Sequence, residues 1–316
     1  MNNPSQATPD SSSNTRTMAS GATVLTHPFY WSVRRELWEN RYVYLVPMGV
    51  AAIFLVGNLV GMIHLPSQMR HWAVMRHFAA DPESHSDAIL MPYHIAAAFM
   101  MATYILVTLF YCADALHGER RDRSILFWKS LPVSDAIVVL AKATIPFIIL
   151  PLLTFAVILV LQFMILLLSS AVLMANNLSV AALWTHLPIV HMSFLLLYHI
   201  ITSHALWPAP IYCWLLLVSG WARRAAFLWA ALPVLVIAGL EEMAFHTHRF
   251  ATLVGNRLIG ETQVASFTPP SIFPTDPMVH IAPTQFLLSP SLWIGLAIAA
   301  AFLAAAVRLR RIQGPV

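Results

Sequence analysis

Residues 114–142 read DALHGERRDRSILFWKSLPVSDAIVVLAK. This is the longest charged and polar interruption in the apolar central part of the chain. One apolar run, roughly 91–113, precedes it, and a longer one, about 136–174, follows. Between them Glu119, Arg120, Arg121, Asp122, Arg123 and Lys129 mix with Ile125, Leu126, Phe127 and Trp128. The result is a short segment with a charged end and an apolar-aromatic end, held between two membrane spans. A segment of that kind lies at a membrane surface or docks into a soluble partner.

The whole composition agrees with the flanking runs. The chain has 316 residues, 59% of them hydrophobic and only 10% charged, with mean hydropathy +0.70. Ordinary globular domains carry about 25% charged residues. Several apolar runs approach the ~20 residues that cross a ~30 Å hydrocarbon layer. The fold class expected is an all-α integral membrane protein with six transmembrane helices and an N-terminal interfacial helix. The net charge of +4 comes from clusters beside apolar runs. Membrane topology explains those clusters, and no nucleic-acid partner is expected. Cys112 and Cys213 both fall in or near spans, so neither a disulfide framework nor a cysteine metal site is expected.

From the start of the chain, residues 1–26 are rich in Ser, Thr and Asn and read as a disordered tail. They hold no basic region followed by an apolar stretch and a cleavage site, so no removed signal peptide is expected. In 27–41, HPFYWSVRRELWENR, Phe29, Val33 and Leu37 recur at spacing four, with Arg35, Glu36 and Glu39 on the other side. That pattern predicts an amphipathic helix in the interface. The first span is 42–63, where Gly57 and Gly61 form a GxxxG spacing that admits a close helix. A polar loop with His64, His71, His77 and His85 follows. The second span is 92–116. Ser134 and Asp135 suit a helix N-terminus. They precede a long third span, 136–168, which Pro146 and Pro151 should bend. Lys142, near its start, is expected to reach back to the interface.

Residues 187–220 are long enough for two short spans or one bent one, with Pro208 and Pro210 as interruptions. Charge decides. With one kinked span here and six in total, only Arg70, Arg76, Arg249 and Arg257 of the 18 basic residues fall outside the cytoplasm. With two spans, the Arg223/Arg224 pair and the C-terminal RLRR would both be outside, against the positive-inside tendency. The fifth span is 225–240. The segment 241–289 is then the largest outer loop, with a surface helix expected over 245–258. The sixth span is 290–307, and 312–316 is a short cytoplasmic tail.

The chemistry is sparse. There is no GxxxxGK[ST], no HExxH and no CxxC, so the chain has no phosphate-cradling loop of its own and is not expected to be an enzyme. His246 and His248 form an HxH pair, but metal sites need three or four ligands, so no metal is expected. His191, His199 and His204 sit on the bent fourth span. His191 and His199, eight apart, share a helix face, and the three are candidates to line a pathway.

The chain also resembles a known family. An interfacial N-terminal helix, six spans and a charged loop between spans two and three resemble the permease subunits of ABC-2 type (type V fold) exporters. The residues that carry the resemblance are GERRDRSILFWKSLPVSDAIVVLAK, 118–142. A second local likeness is WLLLVSGWARRAAFLWAALP, 214–233, similar to the inner loop between spans four and five. With the hydropathy plan, the resemblance covers about 27–311. It implies a bacterial inner-membrane permease, both termini cytoplasmic, without an ATPase site. It also implies a second permease copy, as a homodimer or with a related permease, and separate ATP-binding subunits that carry ATP and Mg. Glu119, Arg121, Arg123, Ile125, Phe127 and Trp128 are then the residues expected to couple the permease to its ATPase. Glu119, Arg121 and Arg123 would orient the segment through charge pairs with the partner or with span ends. A membrane-embedded enzyme using the outer histidines with Glu241 and Glu242, and a non-transporting anchor or sensor, are the competing classes.

Overall fold

The computed structural model describes residues 28–67, 83–122, 133–181, 184, 189–259 and 283–312. Its helices are α1 (Pro28–Glu39), α2 (Tyr42–Gly61), α3 (Glu83–Asp114), α4 (His117–Arg121), α5 (Asp135–Thr144), α6 (Leu150–Ala175), α7 (Ile189–His199), α8 (Ala209–Trp221), α9 (Ala226–Phe245), α10 (Arg249–Ile259), α11 (Pro283–Leu288) and α12 (Pro290–Ile312). No strand occurs among the described residues. Six stretches are long and apolar enough to cross a membrane: Tyr42–Ser67, Leu90–Arg121, Asp135–Ala175, Ile189–Leu206, Ala226–Phe245 and Pro290–Ile312. The protein is an all-α, multi-pass membrane protein.

Several boundaries move from those expected. The third span continues to Ala175 because LLLSSAVLMA offers no breaker. It stops at Asn176–Asn177, where Asn177 takes φ 55; asparagine tolerates the left-handed region that ends helices. The fifth runs through Glu241 and Glu242 to Phe245, and His246 closes it at φ 51 with its N–H on the Glu242 carbonyl. The helix of the second span begins at Glu83, so Pro92 lies inside it. The surface helix expected over 245–258 is α10.

Span depth follows from burial. Only 11% of the apolar window of α2, and of α9, is buried, against 56% for the span containing α3. The span containing α3 is therefore the central helix, and α2 and α9 turn most of their surface to the surroundings. Ile53 and Leu235 are among the most exposed apolar residues. Among the described residues the GxxxG glycines of α2 meet nothing: a Cβ at Gly57 or Gly61 would have open space within 4 Å.

The fourth span keeps one direction through Pro208. Met192 and Leu196 share a core cluster with Leu90 and Tyr93. His204 stacks on Tyr104, and the Ser219 hydroxyl lies 3.3 Å from the Leu116 N–H. The partners thus advance along the span Leu90–Arg121 in step with the sequence, which is what one bent helix requires.

Prolines set the bends, and tyrosines repair them. Residues Ile145–Ile149 and Ile200–Leu206 are π-helical. The first π turn sends the Leu150 N–H to the Ile145 carbonyl. Its continuation would send the next N–H to Pro146, but residue 151 is proline and has none. The orphaned Pro146 carbonyl takes the Tyr104 hydroxyl at 2.8 Å instead. Likewise Pro208 cannot serve the His204 carbonyl, and the Tyr212 hydroxyl does, at 3.0 Å. Where no water can enter, each freed backbone group needs such a donor. Tyr104→Phe should therefore destabilise the protein by about 1–3 kcal/mol, the cost of a buried unsatisfied carbonyl. Thermal unfolding in detergent reads the effect, and an unchanged midpoint would show that the carbonyl finds another donor.

Candidate functional site

The segment singled out in the sequence is built around Glu119. Leu116 ends the turn after α3, and α4 then crosses the charged end of the bundle. There Glu119, 5% exposed, meets cations from three distant elements. Arg35 of α1 donates to Oε1 at 2.9 Å. Lys142 of α5 stands 3.3 Å from the same oxygen. Arg310, near the end of α12, pairs with Oε2. Lys142 also donates to both oxygens of Glu36, at 2.9 Å each, and Arg310 reaches Asp135 at 3.1 Å. Three carboxylates, Glu36, Glu119 and Asp135, thus face three cations, Arg35, Lys142 and Arg310. Because Arg35 and Arg310 share Glu119, both ends of the described chain lie at the same end of the bundle.

Local sequence explains how each member arrives. Val33, Glu36 and Leu37 of α1, and Asn40 just after it, fall at helical spacing on one face, and Val33 and Leu37 pack on the core. This buries Glu36, although the spacing of Phe29, Val33 and Leu37 predicts it on the polar side. The carboxylate is tolerated there because Lys142, the Tyr111 hydroxyl at 3.0 Å and the Asn40 amide at 2.9 Å surround it. Lys142 does not reach back to an interface. It is 1% exposed, since two carboxylates stand closer than water. Burial pulls the Arg35 guanidinium down, but the hydrogen bonds and charges of Glu39 and Glu119 outweigh it and hold its pKa above the ordinary value. As expected from the sequence, Ser134 caps α5 by accepting from the Ile137 N–H at 3.3 Å.

A second set of contacts ties α4 to the turn after α8. Arg120 donates to the Gly220 carbonyl at 2.6 Å, and His117 Nδ1 lies 3.1 Å from the Ala222 carbonyl. The two stretches read separately in the sequence, 118–142 and 214–233, are in contact here.

Of the residues expected to couple to a partner, Glu119 turns inward to span ends of its own chain. Arg121 is exposed, 3.2 Å from Asp122. Arg123, Ile125, Phe127 and Trp128 lie outside the described residues. Among the histidines, the structure joins His199 and His204, whose rings are 5.4 Å apart. His191 is exposed and apart from them. Among the described residues the buried Thr154 and Gln162 each keep a polar side-chain atom without a hydrogen-bond partner, as does His204 Nδ1.

At the far end, Glu241 is committed to the turn that opens α10. It accepts from Thr247 Oγ1 at 2.7 Å and from the N–H groups of Arg249 and Phe250 at 2.9 and 2.8 Å. It thereby caps α10, where an anion is favoured. His248 lies 3.9 Å from Glu242. Among the described residues no group of three or more His, Cys, Asp or Glu is placed to hold a metal.

No protein-family model, curated protein or solved structure matches the chain. The site is therefore read from its own geometry. Sequence periodicity missed Glu36 and left Lys142, Asp135 and Arg310 unconnected to Glu119. One signal was available: a lysine inside an apolar run requires a partner.

Proposed function

We propose that the chain is the transmembrane permease subunit of an ATP-binding-cassette exporter. It forms a substrate pathway across a bacterial inner membrane and is driven by a separate ATPase that carries ATP and Mg. The single observation that carries this reading is the buried ionic cluster on Glu119. A soluble motor has to move helices across a bilayer, so it needs a stiff contact outside the membrane. Segment 117–121 meets that need: Glu119 fastens it to the span starting at Asp135, the span ending at Ile312 and the amphipathic α1. A push on the residues that follow is passed to those elements together, because buried charges cannot separate without large cost.

In this reading the charged end of the bundle is cytoplasmic, in keeping with the basic residues gathered there. Phe127 and Trp128 are the apolar anchors for the ATPase, and Arg121 is an exposed orienting charge. A second permease copy completes the transporter.

Purification of the tagged full chain from native membranes tests the proposal. An ATP-binding subunit is expected to accompany it, and Phe127→Ala should weaken that association by about 1–3 kcal/mol, as loss of a buried anchor does. Recovery of the chain with no ATP-binding protein, under conditions that keep other transporters intact, would overturn the reading.

A further inference from the structure

Four buried polar atoms in the spans have no hydrogen-bond partner among the described residues: the Tyr93 hydroxyl of α3, Thr154 Oγ1 and Gln162 Nε2 of α6, and His204 Nδ1 of the fourth span. Their residues are 3%, 0%, 3% and 5% exposed, in that order. Buried polar groups nearly always find a partner, so orphans of this kind call for one.

The four atoms belong to one seam. The π-helical segment Ile200–Leu206, which holds His204, packs against both α3 and α6. His204 stacks on Tyr104 of α3. On α6, Leu150 shares a core cluster with Tyr104 and Tyr212, and Ile158 shares another with Met100 and Ile200. Thr154 is one turn from Leu150 and one from Ile158, on the same face. It therefore stands at the level between Ile200 and Tyr212, where His204 is. Gln162 lies two turns beyond Thr154 along α6. Tyr93, three turns before Tyr104 on α3, shares the cluster of Ile158 and Leu161. The orphan atoms thus trace a line through the three-helix core, from Tyr93 and Gln162 to Thr154 and His204.

We infer that this seam binds a file of water molecules, from Tyr93 and Gln162 at one end to Thr154 and His204 at the other. The chemistry of the atoms chooses that occupant. Residues 90–113, 150–175 and 189–206, which form this core, include no Asp, Glu, Lys or Arg, so neither an anion nor a cation meets a fixed counter-charge. Hydroxyls donate and accept, the Gln162 amide nitrogen donates, and an imidazole nitrogen does either. Water suits such a mixed set, and a buried water joins about three otherwise unsatisfied groups. Thr154 and Gln162 are separated by about 12 Å of helix rise, too far for one molecule to bridge. The inference does not depend on the permease reading, because it concerns hydration of this chain alone.

Radiolytic footprinting of the full chain in lipid nanodiscs is the test. A brief X-ray pulse makes hydroxyl radicals from water, including water held inside the protein, and these oxidise the side chains within reach. Relative to intrinsic reactivity, Met100, Tyr104 and His204 should be oxidised well above Cys213. That thiol is 0% exposed and clusters with Ala209 and Ala299 in apolar surroundings. On transfer to oxygen-18 water just before the pulse, the exposed Trp221 should take up the isotope at once and the core residues with a delay. Thr154→Val should lower the oxidation of Tyr104 and His204 and should not raise the unfolding midpoint, because the hydroxyl it removes is hydrated. In a dry core, removing an unsatisfied hydroxyl would raise the midpoint. The wild-type footprint decides the matter if the variant fails to fold. Core oxidation no greater than that of Cys213, isotope uptake in the core without delay, oxidation that requires added sodium or potassium, or a raised midpoint for Thr154→Val would each overturn the inference.

Discussion

Lys142→Met is expected to destabilise the protein by about 3–5 kcal/mol, the cost of breaking a buried ion pair by removing one partner. The side chain is 1% exposed, and it is the cation on Glu36. Without it Glu36 keeps, among the described residues, the neutral donors Tyr111 and Asn40, and it remains buried beside a second carboxylate, Glu119. Methionine preserves the bulk, so the loss is electrostatic. The double variant Glu36→Met/Lys142→Met should recover much of this. It leaves Glu119 and Asp135 facing Arg35 and Arg310, with the half-exposed Glu39 also on Arg35, and apolar replacement of a whole buried pair is often close to neutral. A double-mutant cycle on unfolding in mixed micelles measures the coupling. If the double variant loses the sum of the two single losses, the pair is not coupled, and the cluster described above does not act as a unit.

Glu119→Ala should cost about 3 kcal/mol, at the lower end of the same range. It removes the carboxylate shared by three cations, yet each cation keeps another acid: Glu39 for Arg35, Glu36 for Lys142 and Asp135 for Arg310. The loss should appear as a lowered unfolding midpoint of the isolated chain, with no partner present. This differs from what a surface coupling residue would give, namely normal stability with transport uncoupled from hydrolysis. Normal stability of Glu119→Ala in isolation would show that the fastening role is wrong. For the exporter proposed above, a destabilised variant whose remaining folded fraction still brought down an ATP-binding subunit would put partner recognition further along the segment, at Phe127 and Trp128.

The sequence by itself determined the class, the number of spans and the bent fourth helix. These depend on local quantities: apolar length against bilayer thickness, proline position and the sign of flanking charge. It also located the segment at 114–142, because a charged interruption between apolar runs stands out without any partner being known. It could not say where Glu119 points. Its partners lie 84 and 191 positions away, and nothing periodic links Arg35, Lys142 and Arg310. The same holds for Glu36, whose place on the inner face of α1 becomes tolerable only once Lys142, 106 residues on, is beside it. The π turns show the division again. Proline made the bends legible, but the hydroxyls that satisfy the freed carbonyls come from Tyr104, in another helix, and from Tyr212, beyond Pro208. Periodicity records which face of a helix is apolar. Which buried charge or freed carbonyl can be tolerated depends on what the other helices bring to it, and only the tertiary structure decides that.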